Sequence, residues 1–489
     1  MRRILLTLLL ASACVSAQPL SQAIERQLAS PAARRAIWAV HVRDIAAGQT
    51  LFAHNAAIPF TPASNTKLFS TALALTRLGP DHRFLTRVLA SEAPGANGEV
   101  GGSLILVGGA DPSLSGRTYP YLKDAKPLPV LGALEELADQ VAASGVRHVR
   151  GGVIGDDTLY PYEPHPDGWT TDDTTWEYGA AVSALTFNDN AFVLTARPPR
   201  RASEPVIVTL TPVNDAVTIH NTIQVGPGLP NRIRIHRAPG SNVIRLTGTT
   251  APGTPVFSQR LAFDDPALAA AQTFQRLLEE RGITFRAAAR ARHRSPATAY
   301  RDPEGVELAR RVSPPLSQIL QVVNKVSQNL HAEIILRETA RLTRQDASRE
   351  TALEDLTAFL RSLGIPNDHY DFLDGSGLSR KTLVTASATT RLLEAMAASP
   401  HSAAFLDQLP IGGEDGSLSY RFRNVPNASA LRAKTGTLSH VSGLSGYVLA
   451  GDQPRLAFSV YINHANMNSS TARDLLDKIV EEILRSVGP

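Results

Sequence analysis

The alternation of hydrophobic and polar positions predicts regular structure at both ends of the chain. Residues 36–53 alternate around Gly48 in the way that is typical of a β-hairpin. Near the other end, a closing helix carries its apolar residues on one stripe and acidic residues opposite them. The elements predicted there are strands at 429–437, 446–450 and 456–463 and a helix at 471–487. We therefore expect the two chain ends to share one antiparallel sheet with helices packed against it.

A further helix is predicted directly after the N-terminal hairpin. Thr61 is a favourable N-cap, and Pro62 suits the first helical position. The run from Leu68 to Leu78 is apolar on nearly every side. Because a helix that is hydrophobic all round needs cover on every face, this helix is expected to be buried.

The middle of the chain follows a different pattern. From about residue 86 to 300 it is rich in glycine and proline and holds short β-branched runs. Helical periodicity returns afterwards, at 319–326, 330–344 and 352–363. The pattern predicts an α+β fold in which 22–85 and 301–489 form one discontinuous domain. Residues 86–300 are then a mostly β insertion, built as one unit or as two nested units.

Residues 1–17 resemble a secretory signal peptide. Arg2 and Arg3 precede a short apolar core, and small residues precede the expected cleavage ahead of Gln18. Cys14 is the only cysteine, and it is either lost with this signal or kept as the lipid anchor of a lipoprotein. The residues before it lack the usual leucine, which favours simple secretion. The apolar run is too short to span a bilayer, so we expect no transmembrane span and a periplasmic or extracellular location.

Charge and histidine content narrow the function classes. The net charge is +4, and it falls to +2 when the two signal arginines are removed. Such a small excess does not call for a nucleic-acid partner. The 13 histidines occur without a His-Glu-x-x-His motif, so no metal or other cofactor is expected. One basic cluster is interpreted as a solvated surface: Arg286, Arg290, Arg292 and Arg294.

The predicted N-terminal helix carries a candidate nucleophile and its base. Ser64 and Lys67 are one helical turn apart, so their side chains share a face. Serine attacks well only when a base takes its proton, and lysine serves as that base only when burial or a nearby cation lowers its pKa. Lys434 is the expected cation. The alternative is an ordinary helix with a surface serine and lysine, which its mostly apolar composition disfavours.

A second motif lies in a polar break between two predicted helices. Ser327 and Asn329 are two positions apart, and alternate residues of an extended segment point the same way. Both are expected to face Ser64 and Lys67, one passing a proton and the other orienting Lys67 or a substrate amide. Taken alone, the same pattern is equally typical of an ordinary loop or helix start.

A third motif, residues 434–437, is predicted on an edge strand that lines the cleft. Gly436 allows a substrate backbone to approach closely, and Lys434 with Thr435 offers a charge and a hydroxyl to a carboxylate. The N–H of Thr437 is a candidate oxyanion donor. A single Lys-Thr-Gly is commonly just an exposed strand, so its meaning depends on the other two motifs.

The order Ser-x-x-Lys, Ser-x-Asn, Lys-Thr-Gly matches the penicillin-recognising serine enzymes. Here 263 positions separate the first two serines, a long gap. From about residue 22 to its end, the chain resembles the D-alanyl-D-alanine carboxypeptidase/endopeptidase family, the class C low-molecular-mass penicillin-binding proteins. Segments 109–114, 374–380 and 409–418 are also similar to family motifs, although the family has threonine where this chain has Ser417.

The resemblance implies a penicillin-binding transpeptidase/β-lactamase-like domain, an antiparallel sheet flanked by helices, with a large insertion between the first two motifs. It implies that Ser64 is acylated, that Lys67 is its base, that Ser327 passes a proton to the leaving D-alanine and that Asn329 orients the site. The implied ligands of the substrate carboxylate are Lys434, Thr435, Gly436 and Thr437. For the peptide side chain they are Asp156, or equally Asp157, and Arg380.

These expectations define a secreted serine D-Ala-D-Ala carboxypeptidase or endopeptidase that acts on peptidoglycan peptides and is acylated by β-lactam antibiotics. One alternative is a β-lactamase or esterase on the same scaffold. The chain has no Glu-x-x-Leu-Asn segment, which argues against a class A β-lactamase. A second alternative is a catalytically idle peptidoglycan-binding or sensor protein, and the three intact motifs argue against it.

Overall fold

A computed structural model describes residues 17–213 and 216–488. Its contacts divide the chain into two compact units. Within the described residues, the first unit comprises 17–80, 320–332 and 353–488, and the second comprises 81–319 and 333–352. Residues 1–16, with most of the predicted signal peptide and Cys14, lie outside the described part.

The helices and strands of the described chain run as follows. The helices are α1 (Ala17–Leu28), α2 (Thr66–Leu78), α3 (Gly132–Ala143), α4 (Pro266–Glu279), α5 (Leu316–Lys325), α6 (Asn329–Arg344), α7 (Arg349–Ser362), α8 (Ala386–Ala397), α9 (Ser402–Asp407) and α10 (Ser469–Arg485). The strands are β1 (Ile37–Asp44), β2 (Gln49–His54), β3 (Pro59–Phe60), β4 (Leu85–Ala90), β5 (Glu99–Val100), β6 (Leu104–Val107), β7 (His148–Val149), β8 (Val153–Pro161), β9 (Ala191–Arg197), β10 (Ile207–Thr211), β11 (Thr218–Asn221), β12 (Gln224–Val225), β13 (Arg232–Arg237), β14 (Val243–Thr250), β15 (Phe257–Ala262), β16 (Thr284–Phe285), β17 (Arg290–Arg294), β18 (Val306–Val312), β19 (Tyr370–Asp371), β20 (Leu383–Thr385), β21 (Leu431–Leu438), β22 (Val441–Ala450) and β23 (Gln453–Asn463).

The main sheet of the first unit joins the two ends of the chain, as predicted. Its strand order is β2-β1-β23-β22-β21, and all of these pairings are antiparallel. Strand β1 pairs with β23 along its whole length, from Ile37 opposite Asn463 to Asp44 opposite Leu456. Strand β21 is therefore an edge of this sheet, and it carries the third motif.

Successive side chains of this sheet point to opposite faces, and each face packs on a different helix. On one face, valine, leucine, isoleucine and phenylalanine side chains share a core with the buried stripe of α10. On the other face, polar side chains bond to α8. These contacts join Tyr447 Oη to the carbonyl of Leu393 (2.7 Å), Tyr461 Oη to Thr389 Oγ1 (2.7 Å) and His41 Nδ1 to Thr390 Oγ1 (2.6 Å).

The second unit is built on a sheet with strand order β17-β8-β6-β4-β18. Helices α3 and α4 share its main apolar core, through residues such as Leu137 and Phe274. The sequence pattern did not predict these two helices, because their alanine-rich stretches lie among short β-branched runs. A smaller sheet, β10-β9-β15, adds Phe192 and Leu194 to the same core.

The unit boundaries differ from those expected from sequence. Strand β18, at 306–312, pairs with β4, at 85–90, and this pairing places residues past 300 in the second unit. Residues 333–352, expected in the discontinuous domain, also belong to the second unit. That the first unit is the peptidase domain and the second an insertion stays a prediction.

None of the helices in residues 17–213 and 216–488 combines the length and apolar character needed to cross a membrane.

Candidate active site

The first motif begins on a short 3-10 turn, not at the start of a regular helix. Pro62 and Thr61 were predicted to open the helix, but the turn Ala63–Asn65 comes first and α2 begins at Thr66. Thr61 is not a side-chain cap, and instead its N–H donates to Asn463 Oδ1 (2.9 Å). Ala63 has a left-handed φ of +48°, an uncommon conformation for alanine. The turn leaves Ser64 half-buried while Lys67, one turn later, is fully buried.

Two paired glycines let this turn lie against the main sheet. Gly436 of β21 is directly opposite Gly443 of β22. A Cβ on either glycine would lie 2.6 Å from Nδ2 of the buried Asn65, far too close for two heavy atoms. Gly436 thus makes room for the turn that carries Ser64, and its close approach to a substrate backbone stays a prediction.

Lys67 lies at the centre of three hydrogen bonds. Its Nζ donates to Ser64 Oγ (2.9 Å), to Asn329 Oδ1 (2.6 Å) and to the backbone carbonyl of Ser376 (2.7 Å). Two of the sequence motifs therefore meet at one amine. The carbonyl of Ser376 was not predicted from sequence as part of this cluster.

A buried carboxylate fixes the loop that supplies this carbonyl. Asp374 is fully buried and accepts hydrogen bonds from Ser379 N (2.7 Å), Gly377 N (3.1 Å), Ser376 Oγ (3.1 Å) and Thr382 Oγ1 (3.0 Å). The same loop is tied to α2, because Ser70 Oγ donates to the carbonyl of Gly375 (2.6 Å). The sequence signal for this loop was its similarity to a family segment, which assigned no role to Asp374.

The second motif joins the third through a hydroxyl and an amine. Lys434 is fully buried, and its Nζ donates to Ser327 Oγ (2.9 Å) and to the carbonyl of Thr435 (2.7 Å). Burial, reinforced by the positive charge of Lys67, lowers the pKa of Lys434 well below the usual range of a lysine. The two lysines of the motifs are thus electrostatically coupled.

The conformation of the second motif is not the extended one that was expected. Ser327 has a left-handed φ of +64° in the break between α5 and α6, and Asn329 is the first residue of α6. The reversal of the chain at Ser327 gives the two side chains different partners. The end of α5 is held against α2 by buried amide contacts, in which Asn324 Nδ2 donates to Thr71 Oγ1 (3.1 Å) and to Gln408 Oε1 (2.8 Å).

The remaining residues of the third motif line the sheet edge. Thr435 is half-buried and Thr437 is exposed. Thr435 Oγ1 donates to Ser417 Oγ, 2.8 Å away, so a second hydroxyl lies beside the motif. Sequence similarity identified the segment that contains Ser417 but gave no sign of this contact.

The two residues assigned to the peptide side chain are in contrasting environments. Arg380 is exposed in the first unit, at the end of the Asp374 loop. Asp156 is in the second unit, on β8, where only 1% of it is exposed. Its Oδ2 accepts from Arg292 Nε (2.6 Å), and its Oδ1 accepts from the N–H and the hydroxyl of Thr158 (2.9 and 2.6 Å). A carboxylate with these partners has little capacity left for a substrate, so the structure does not favour the role given to Asp156 at the peptide side chain.

The alternative acid, Asp157, is also engaged. Its carboxylate accepts from Ser183 Oγ (2.9 Å) and faces His293 Nδ1 (2.9 Å), and only 4% of the residue is exposed. Neither aspartate therefore has the exposure of Arg380.

Comparison with known proteins identifies the family of this chain. The model of the D-Ala-D-Ala carboxypeptidase 3 (S13) family matches residues 20–483, so the chain belongs to that family. It is 36% identical over 456 residues to the D-alanyl-D-alanine carboxypeptidase of Actinomadura sp. (strain R39), covering 91% of this chain and 81% of that protein. The chain is accordingly a serine-type D-Ala-D-Ala carboxypeptidase, as the sequence predicted.

Solved structures confirm the predicted fold class. The crystal structure of penicillin binding protein 4 (dacB) from Haemophilus influenzae matches with a TM-score of 0.78 and 23% identity. The match covers 96% of this chain and 98% of that one. The same Haemophilus protein has been solved in complex with a β-lactam, and that structure matches with a TM-score of 0.73 and 23% identity over the same shares of both chains. The fold is thus the penicillin-binding α+β fold.

Proposed function

We propose that this carboxypeptidase works through an acyl-enzyme on Ser64 and that Lys67 is the base for its formation. The observation that carries the proposal is the set of contacts around Lys67 Nζ. A neutral amine has two N–H donors and one lone pair. If the two N–H groups donate to Asn329 Oδ1 and the carbonyl of Ser376, the lone pair is directed at Ser64, 2.9 Å away.

The chemical steps follow from this arrangement. Ser64 Oγ attacks the carbonyl carbon of the penultimate D-alanine as its proton passes to Lys67. The C–N bond then breaks, and the proton taken up by Lys67 passes through Ser327, which Lys434 holds at 2.9 Å, to the leaving amine. Water hydrolyses the resulting ester, and Ser64 regains its proton. No cofactor enters these steps.

Recognition of the substrate is assigned to the edge of the main sheet. Lys434, Thr435 and Thr437 bind the terminal carboxylate, and the N–H groups of Ser64 and Thr437 stabilise the oxyanion. The exposure of Arg380 supports a contact with the peptide side chain. Asp156 and Asp157 are left out of this assignment, because their carboxylates already have partners.

We extend the proposal to substrates, inhibitors and location. The substrates are peptidoglycan stem peptides ending in D-Ala-D-Ala, or cross-links in an endopeptidase reaction. Penicillins acylate Ser64, which the β-lactam complex of the Haemophilus protein supports. The signal-like composition of residues 1–17 supports secretion to the periplasm or the exterior of the cell.

The test measures the intact mass of the mature protein after mixing with benzylpenicillin, alongside Ser64→Ala, and the release of D-alanine from a peptide ending in D-Ala-D-Ala. We expect an adduct of one drug mass that the variant lacks, and D-alanine release that the variant has lost. Rapid drug consumption without a lasting adduct would favour the β-lactamase alternative. An adduct or D-alanine release that persists in Ser64→Ala would overturn the assignment of the nucleophile.

A further inference from the structure

Thr435 and Ser417 form a hydroxyl pair at the sheet edge, and the hydroxyl of Ser417 can act there as a hydrogen-bond donor. A hydroxyl carries one proton and accepts through its lone pairs. Thr435 Oγ1 donates to Ser417 Oγ at 2.8 Å, which commits the proton of Thr435 to this contact. The proton of Ser417 is then available to an acceptor, and Ser417 is exposed. Thr435 therefore contributes to a carboxylate site through Ser417, because its own proton is taken and a carboxylate has no proton to give it at neutral pH.

The turn that carries Ser417 is held firmly beside the strand. Asp415, just before it, accepts from Lys325 Nζ (2.6 Å) through Oδ2 and from Ile411 N (2.8 Å) through Oδ1. Lys325 is buried and also donates to the carbonyl of Leu409 (3.0 Å). The ion pair therefore fixes both ends of the segment that precedes Ser417.

Close packing fixes the turn from a second direction. Gly416 has φ +53°, and a Cβ there would lie 2.7 Å from the carbonyl oxygen of Lys325. Only glycine fits this position without movement of α5. Because Lys325 is two residues before Ser327, the same contacts set the position of Ser417 relative to the second motif.

We infer that Ser417 donates its hydroxyl proton to the C-terminal carboxylate of the peptide and so helps to determine specificity for a free carboxyl end. The inference rests on the proposed function, in which that carboxylate binds at the edge of the main sheet. A carboxylate offers about four acceptor positions, so it has room for this donor beside those of the Lys-Thr-Gly motif.

The state of Lys434 makes such a neutral donor more important. Its Nζ is already engaged by Ser327 and by the carbonyl of Thr435. Burial lowers its pKa, which weakens it as a permanent positive partner. Recognition of the carboxylate then depends more on the neutral hydroxyls near it.

The experiment compares wild type, Ser417→Ala and Ser417→Thr on a peptide ending in D-Ala-D-Ala. Single-turnover kinetics separates the substrate dissociation constant from the limiting acylation rate. We expect Ser417→Ala to raise the dissociation constant about tenfold or more, the range for a lost hydrogen bond to a charged group, with little change in the limiting rate. Ser417→Thr keeps the hydroxyl and is expected to stay within about threefold of wild type.

Ser419→Ala is the matched control, since it removes a hydroxyl two positions along the same turn. Binding by Ser417→Ala within about threefold of wild type would overturn the inference. Equal losses in Ser417→Ala and Ser417→Thr, or a loss confined to the limiting rate, would overturn it as well, because a packing role gives those results. The proposed function fails by a different result, namely D-alanine release that survives Ser64→Ala.

Discussion

The cations that face the buried aspartates of the second unit differ from the lysines of the candidate active site, in the first unit, in the charge of their partners. In the second unit, Arg292 meets the carboxylate of Asp156, which is 1% exposed. His293 lies between the carboxylates of Asp157 (2.9 Å) and Asp265 (3.3 Å). These carboxylates raise the pKa of His293 to about 10, so it stays protonated at neutral pH.

In the first unit, Lys434 has a shifted pKa, and its hydrogen-bond partners are neutral. Lys434 donates to a hydroxyl and a carbonyl, and its pKa falls because burial is not offset by a negative charge. Lys67 donates to a hydroxyl, an amide oxygen and a carbonyl. The difference teaches that carboxylate partners hold a cation in its charged form, whereas burial without such a partner lowers the pKa of Lys434.

The largest effect is expected when the proposed base is removed. Lys67→Ala deletes the amine that contacts Ser64, and we expect acylation by benzylpenicillin to slow by about 10²–10⁴-fold, the usual range for general-base catalysis. Stopped-flow or mass-based acylation rates measure the effect. Lys478→Ala, which removes an exposed lysine from α10, is the control. Acylation near the wild-type rate in Lys67→Ala, with the fold intact, would refute the assignment.

A second test removes a cation that has a carboxylate partner. Arg292→Met leaves the buried carboxylate of Asp156 with only the donors of Thr158 among the contacts described above. We expect the free energy of unfolding to fall by about 3 kcal/mol, because an uncompensated buried charge is costly. Urea denaturation measures this loss. An unchanged free energy of unfolding would show that the pair is not structural.

A third test concerns the loop that holds Lys67. Asp374→Asn keeps the side-chain shape but removes the charge that four donors share. We expect a loss of about 1.5–3 kcal/mol in the free energy of unfolding, together with slower acylation, because the carbonyl of Ser376 is released. Urea denaturation and acylation rates are measured on the same preparation. A stability loss with wild-type acylation would mean that the loop does not position Lys67.

The smallest effect is expected from a change of pH, which tests the charge of His293 in the second unit. His293 has a folded pKa of about 10 against an ordinary 6.5, so its stabilising contribution is complete below pH 6.5. The contribution is lost as the pH rises from 6.5 through about 10. The difference in unfolding free energy between wild type and His293→Gln should therefore shrink over this window. A difference that stays constant between pH 6 and 10 would contradict the raised pKa.

Much of the first unit was predictable because its signals are local or similar to known motifs. The hairpin at 36–53, the last three strands and the closing helix follow from residue periodicity, and the structure places them within a few residues of the predicted bounds. The start of α2 was wrong by several residues, since Thr61 and Pro62 satisfy the rules for a helix start while Asn463 takes up the N–H of Thr61.

The second unit was harder to predict for a physical reason. Its short strands lie among many similar β-branched runs, so nothing in the sequence singles out β18 as the partner of β4. Likewise, only the family resemblance implied a ligand role for Asp156. Its partner Arg292 is 136 positions away, and in sequence that arginine had the appearance of a solvated surface residue.

By itself, the sequence determined the α+β class, the family and the three motifs, because motif chemistry and hydrophobic periodicity are carried by neighbouring residues. Only the tertiary structure decided which acceptors surround Lys67, that Asp374 fixes one of them, and that Ser417 joins the third motif. Those contacts connect residues up to 309 positions apart, and hydrogen bonds form only between groups that the fold brings within about 3 Å. The need for glycine at 436 and 443 was likewise decided by the tertiary structure. A side chain at either position would clash because the fold places Asn65 against them.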